Sequence, residues 1–222
     1  MPVDVDKYRL IVAELKEKHV QLVAVSKTKP VEDIQALYDL GQRDFGENYV
    51  QELAEKEALL PKDIRWHSIG HLQTNKVKYI APFVHLVHGV DSWKLLKEIN
   101  KQGDKYNRVI DCLLQVHIAQ EETKFGMDAN EVAEVLAKSH ELTCIRLRGM
   151  MGMASFTLNE EKVRNEFRYL KKLYDSCTVS MPDPTHWNIL SMGMSGDYTT
   201  AIEEGSNMVR VGSLLFGVRE VG

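Results

Sequence analysis

Lys27 follows directly on a run of apolar residues. Leu22-Val23-Ala24-Val25 shows no polar alternation and reads as a fully buried strand of a parallel sheet. Ser26-Lys27-Thr28-Lys29-Pro30 ends that strand, and Pro30 opens a helical segment, Val31 to Leu40, as proline does well at a first helical position. A lysine is therefore expected at the carboxyl end of a buried strand, the edge at which α/β sheets bind ligands. Side chains alternate along a strand, so Val23, Val25 and Lys27 share a face, and if that face lines a barrel Lys27 ends in its mouth. A lysine held there partly desolvated is an amine nucleophile toward carbonyls. A solvated lysine at a strand end is the competing reading, and this stretch taken alone favours it.

The second chemical signal lies near the other end of the chain. Ser191-Met192-Gly193-Met194-Ser195-Gly196-Asp197 sits between a strand-like run and a helical one, and Met208-Val209-Arg210-Val211-Gly212-Ser213 is a further strand running into its loop. Eight-fold barrels frequently build a phosphate site from the loops after strands seven and eight. Gly and Ser suit such a site, because backbone amides can approach an anion and hydroxyls add donors. Arg210 is expected on the strand itself, where a buried guanidinium needs an acceptor: a structural carboxylate, or a heteroaromatic nitrogen or oxygen of a ligand. An amine on the first strand and an anion cradle on the last two would both be satisfied by a phosphorylated aldehyde. That leaves pyridoxal phosphate held as an imine on Lys27, or an aldolase-type imine with a sugar phosphate.

Other clusters are less specific. Gly46-Glu47-Asn48 at the start of a helix is either a cap, since Asn is a favoured N-cap, or a polar group facing the mouth. His67 and His71 are four apart, but one is strand-like and the other in a loop, so a polar mouth loop is expected rather than a metal site. Lys124, before Phe125-Gly126, is a candidate ligand contact or a solvated loop charge.

These residues need elements to position them. Strand-like runs at 22–25, 43–45, 64–69, 84–90, 109–118, 145–154, 187–194 and 208–217 alternate with helical patterns at 31–40, 50–60, 73–80, 93–101, 130–139, 159–175 and 198–205. Asp6 to Lys18 adds a helix before the first strand. The pattern predicts one (β/α)8 TIM-type barrel with an extra N-terminal helix, spanning 1–222 as a single domain. Val179 to Pro184 reads as a loop inside a unit, and a doubly wound open sheet is disfavoured because no GxGxxG follows the first strand. A net charge of -4 argues against a nucleic-acid or polybasic membrane surface. No apolar run approaches a membrane span, and the polar N-terminus does not read as a signal peptide. Three cysteines without CxxC spacing fit a reducing compartment, so the expected location is the cytoplasm.

Ala24-Val25-Ser26-Lys27-Thr28-Lys29-Pro30, Phe45-Gly46-Glu47-Asn48-Tyr49-Val50-Gln51-Glu52, Trp66-His67-Ser68-Ile69-Gly70-His71-Leu72-Gln73-Thr74-Asn75-Lys76 and Ser191-Met192-Gly193-Met194-Ser195 together resemble the pyridoxal phosphate homeostasis protein family. That family resembles in turn the N-terminal barrel of alanine racemase (fold type III). The resemblance runs from the first strand to Val218-Arg219. It implies pyridoxal 5'-phosphate as cofactor, with Lys27 as the imine lysine. It implies Asn48 at the cofactor rim, and Met194, Ser195, Gly212 and Ser213 in the phosphate loops. Arg210 is then the group facing the pyridine nitrogen, and Lys124 a participant in cofactor transfer. Ser213 stands where a threonine is common and keeps the hydroxyl.

Three functions are then open: a carrier that stores or delivers the cofactor to apo pyridoxal phosphate-dependent enzymes, a weak fold type III amino-acid racemase, and a sugar-phosphate aldolase. Racemisation needs acid/base groups on both faces of the cofactor, and the chain is expected to lack the further β-domain from which alanine racemase takes one of them. An arginine opposite the pyridine nitrogen also opposes its protonation. Both points favour a carrier without established catalysis, and the open mouth separately suggests a monomer or weak dimer.

Overall fold

The computed structural model describes residues 3–119, 125–180 and 184–217. Its eight strands are β1 (Gln21–Val25), β2 (Asp44–Glu47), β3 (Arg65–Ser68), β4 (Leu86–Val90), β5 (Ile110–Gln115), β6 (Ile145–Met151), β7 (Ile189–Met194) and β8 (Met208–Val211). They form a closed barrel in sequence order, and the seam pairs β1 with β8 in parallel register, Val23 opposite Arg210 and Ala24 opposite Val211. The described helices are α1 (Val5–Glu17), α2 (Val31–Asp39), α3 (Val50–Leu59), α4 (Val77–Ile80), α5 (Trp93–Lys105), α6 (Ala129–Lys138), α7 (Glu160–Ser180), α8 (Tyr198–Glu203) and α9 (Ser213–Phe216). The expected (β/α)8 barrel with its additional N-terminal helix is the observed architecture.

The apolar runs separate into two layers by strand alternation. Val23, Leu86, Leu113, Met151 and Met208 fill the barrel interior. Their strand neighbours, such as Ala24, Phe45 and Trp66, face the surrounding helices. Helix α1 starts where the Asp4 side chain accepts from the Lys7 N–H at 3.0 Å, and it buries Tyr8, Ile11 and Leu15 at helical spacing. It packs against β1 and α9, and Asp4 N–H donates to Leu215 O at 3.0 Å. No helix among the described residues is long and apolar enough to cross a membrane.

Four local expectations are corrected. The last strand stops at Val211, and Ser213–Phe216 is a short helix that continues the apolar run after Gly212. Val179 and Ser180 belong to α7 rather than to a loop, because the first proline of that stretch is Pro182, two residues past the end of the helix. Pro30 is the N-cap of α2, with ψ 160, and not its first helical residue. Asn48 is not a cap: α3 begins after Tyr49, and β2 extends through Glu47.

Candidate functional site at the barrel mouth

The carboxyl ends of the strands open on one cavity of about 1060 Å³. Lys27, Asn48, Met194, Ser195, Arg210, Gly212 and Ser213 all line it, so residues up to 186 positions apart in sequence converge on a single space. Lys124 lies outside the described residues. Gln115 and His71 also line the cavity. Gln115 Nε2 donates to Phe125 O at 2.8 Å, while His71 stacks on the Phe125 ring at 4.0 Å and meets Asp91 through Nδ1 at 3.0 Å.

Lys27 lies just beyond β1, half-buried, on the interior side established by Val23 and Val25. Two strands round the barrel from it, the β7 loop is tight. Met194 N–H donates to Asp197 Oδ1 at 2.6 Å, and Asp197 N–H returns to Met194 O at 3.1 Å. Gly193 is required here: its φ is +96, and a Cβ would come within 2.6 Å of Ala201 Cβ in α8. The β7 and β8 loops are tied together because Gly212 N–H donates to Ser195 Oγ at 3.1 Å. Ser195 accepts in that bond, so its own proton is available to an anion in the cavity.

Arg210 is buried, with 3% of its surface exposed, and its acceptors are neutral. Nη1 donates to Ser191 O at 2.9 Å and to Ser191 Oγ at 2.6 Å, and Nη2 donates to Gly152 O at 3.1 Å. Three of its five N–H donors are used in this way, leaving two for a ligand. Burial pulls Arg210 down to about 10, against the favourable charge of Asp197, so it stays cationic near neutral pH.

Beneath Arg210 a polar chain crosses the barrel interior. Ser191 Oγ meets His88 Nδ1 at 3.3 Å, His88 Nε2 meets His67 Nδ1 at 2.9 Å, and His67 Nε2 meets Asp44 Oδ1 at 3.0 Å. Arg65 closes the chain with two bonds to Asp44, of 2.8 and 2.5 Å. The carboxylate can only accept, so His67 donates from Nε2 to Asp44. With His67 as a neutral imidazole its Nδ1 then accepts from His88 Nε2, and His88 Nδ1 accepts from Ser191. Burial favours the protonated form of Asp44, but Arg65 and His67 together hold its carboxyl well below the usual carboxylate range. The pair His67 and His71 does not form a common site: His67 is inside the barrel and His71 on the rim.

His88 is fully buried, and desolvation, reinforced by the neighbouring positive charges, holds its pKa well below that of a free histidine. The unfolded chain takes up a proton at His88 below about pH 6.5 that the folded chain refuses. Stability should therefore fall with pH from there, by up to about 1.4 kcal/mol per pH unit. Urea unfolding of the wild type and of His88→Gln at about pH 7 and about pH 5.5 checks this: the variant should lose less stability on acidification.

Of the gathered residues, sequence alternation identifies Asn48 but not its neighbour's role. Glu47 points away from the mouth, behind β1 and β2, where it bonds to Ser26 and Lys56. The interior chain was signalled only by polar residues within otherwise apolar strands.

The closed parallel barrel and its lysine-bearing mouth define the class: the family described as alanine racemase, N-terminal domain, matches residues 3–220. A pyridoxal phosphate homeostasis protein of Aquifex aeolicus is 42% identical over 209 residues, covering 92% of this chain and 89% of that protein. PipY of Synechococcus elongatus, solved with PLP bound, is 33% identical with a TM-score of 0.83, covering 93% of this chain and 98% of that one. Alanine racemase of Bartonella henselae, at 16% identity and a TM-score of 0.72, shares the fold over 96% of this chain and 59% of its own. The chain belongs to the pyridoxal phosphate homeostasis protein family.

Proposed function

We propose that this protein binds pyridoxal 5'-phosphate as an imine on Lys27 and stores or delivers it within the cytoplasm as a monomer. The observation that carries this reading is the convergence of Lys27, Arg210 and the two Ser/Gly loops on one cavity. The donor set fits the cofactor. Lys27 supplies a primary amine, which condenses with an aldehyde with loss of water. Ser195 has a proton to give and Ser213 carries a second hydroxyl, which suits a phosphate between the β7 and β8 loops. Arg210 keeps two N–H donors for the pyridine side of the ring. When bound, the cofactor supplies an electrophilic carbon and an electron-withdrawing ring.

The residues present favour holding over turnover. Arg210 remains a cation, and a cation beside the pyridine nitrogen disfavours its protonation. That weakens the ring as an electron sink. The mouth is open, and its lining residues Phe156 and Leu158 are fully exposed, which suits exchange with apo-enzymes that use the same cofactor. Weak racemisation of amino acids is the second reading, supported by the barrel class shared with alanine racemase.

The test is cofactor transfer. Loaded protein mixed with an apo-enzyme should restore activity faster than spontaneous release into buffer allows; equal rates would contradict delivery. Ser195→Ala should weaken binding of pyridoxal phosphate roughly tenfold, the worth of one hydrogen bond to a charged phosphate. Unphosphorylated pyridoxal should be unaffected, which direct titration of both compounds would check.

A further inference from the structure

Lys27 belongs to neither β1 nor α2, yet the backbone on both sides of it is gripped from behind. Ser26 N–H donates to Gly46 O at 3.0 Å, and Ser26 Oγ donates to Glu47 Oε1 at 2.5 Å. Lys56, reaching in from α3, donates to Ser26 O at 2.7 Å, to Glu47 Oε1 at 2.8 Å and to Glu52 Oε1 at 2.7 Å. Glu52 Oε1 in turn accepts the Thr28 N–H at 2.5 Å. Thr28 has φ 63, a left-handed conformation that a β-branched residue adopts only when its surroundings impose it.

The arrangement is a costly way to gain stability. The Lys56 and Glu47 side chains are 7% and 0% exposed, and well-packed apolar residues commonly stabilise as much as a buried ion pair. Glu47 Oε2 is buried with no hydrogen-bond partner among the described residues, which a device selected for stability alone would avoid. What the cluster does supply is position: three side chains from β2 and α3 fix residues 26 and 28, and nothing in the cluster enters the cavity.

We propose that Lys56, Glu47 and Glu52 are positioning residues that clamp the backbone on either side of Lys27 and so set where its amine meets the cofactor's aldehyde. This rests on the imine reading of Lys27. The clamp acts on imine formation and not on the grip of the phosphate, so the two are separable with pyridoxine 5'-phosphate, which carries the phosphate but no aldehyde.

The experiment compares wild type, Lys56→Met, Glu52→Ala and Glu52→Gln by spectroscopic titration with pyridoxal phosphate across pH, and with pyridoxine 5'-phosphate. Lys56→Met and Glu52→Ala should form the imine about tenfold more weakly and shift the pH midpoint of its visible band, as a misplaced reacting group does. Pyridoxine 5'-phosphate affinity should stay at the wild-type value. Glu52→Gln keeps an oxygen for the Thr28 N–H and should recover most of the loss. Should Lys56→Met fail to fold, Glu52→Ala decides alone, because Glu52 is 21% exposed and its removal leaves the Lys56–Glu47 pair in place. Unchanged imine formation in Glu52→Ala, or an equal loss with pyridoxine 5'-phosphate, overturns the clamp. A wild type that forms no imine at Lys27 overturns the clamp and the binding reading together.

Discussion

Lys27→Ala loses the visible imine band on addition of pyridoxal phosphate, and borohydride no longer fixes the cofactor to the chain. Alanine has no amine to condense with the aldehyde, and although Lys29 lines the same cavity its amine is already held by another acceptor. Lys29 Nζ is engaged with Phe216 O at 2.8 Å, and it lies two residues further along the loop. Overall affinity should fall about a hundredfold or more, since the covalent link is lost while the phosphate loops remain. The unliganded variant should melt with a change of no more than about 1 kcal/mol, because Lys27 is a half-buried loop residue beyond the end of β1. Absorbance titration and urea unfolding of the cofactor-free proteins give both readouts. A large loss of stability in the absence of cofactor would assign Lys27 a structural role instead.

Arg210→Ala carries the second large effect, here on stability and binding at once. The guanidinium satisfies Ser191 O, Ser191 Oγ and Gly152 O inside the barrel, and its removal leaves buried acceptors facing a void. Unsatisfied buried polar groups and the cavity together should cost about 3 kcal/mol. The barrel seam lies at this level, since Arg210 pairs with Val23 across β1 and β8. Arg210→Lys restores a cation without the fork of donors and should recover only part of the stability. In the loaded protein, both variants should shift the pH midpoint of the imine band, because the cation beside the pyridine nitrogen has been removed or moved. Denaturant melts combined with spectral titration check this, and an Arg210→Ala protein as stable as wild type would contradict the packing described here.

The order of elements was legible because a parallel barrel requires apolar strands without alternation, separated by helical periods, and each unit carries that contrast. Boundaries failed where two adjacent elements share one composition. Leu214-Leu215-Phe216 reads as a continuation of the last strand, although Gly212 marks the break. Asn48 was readable as a mouth residue once β2 is extended to Glu47, since alternation then puts Gly46 and Asn48 inside and Phe45 and Glu47 outside. The chain from Arg210 to Asp44 was not readable. It joins side chains from β2, β3, β4, β7 and β8, and their heights depend on register shifts between Val87 and Val90 and between Ser191 and Met194. The clamp was hidden for a different reason. Glu52 and Lys56 are four apart on a helix, a spacing that ordinarily describes a solvated ion pair. Only the fold shows that the pair faces inward, against residues 26 and 28.

The most direct measurement is borohydride reduction of the wild type saturated with pyridoxal phosphate, followed by proteolysis and mass spectrometry of the peptides. The account predicts one stable adduct of the reduced cofactor, on the peptide that contains Lys27 and on that lysine. An adduct centred on Lys29 or any other lysine, or no adduct despite saturation, would contradict it.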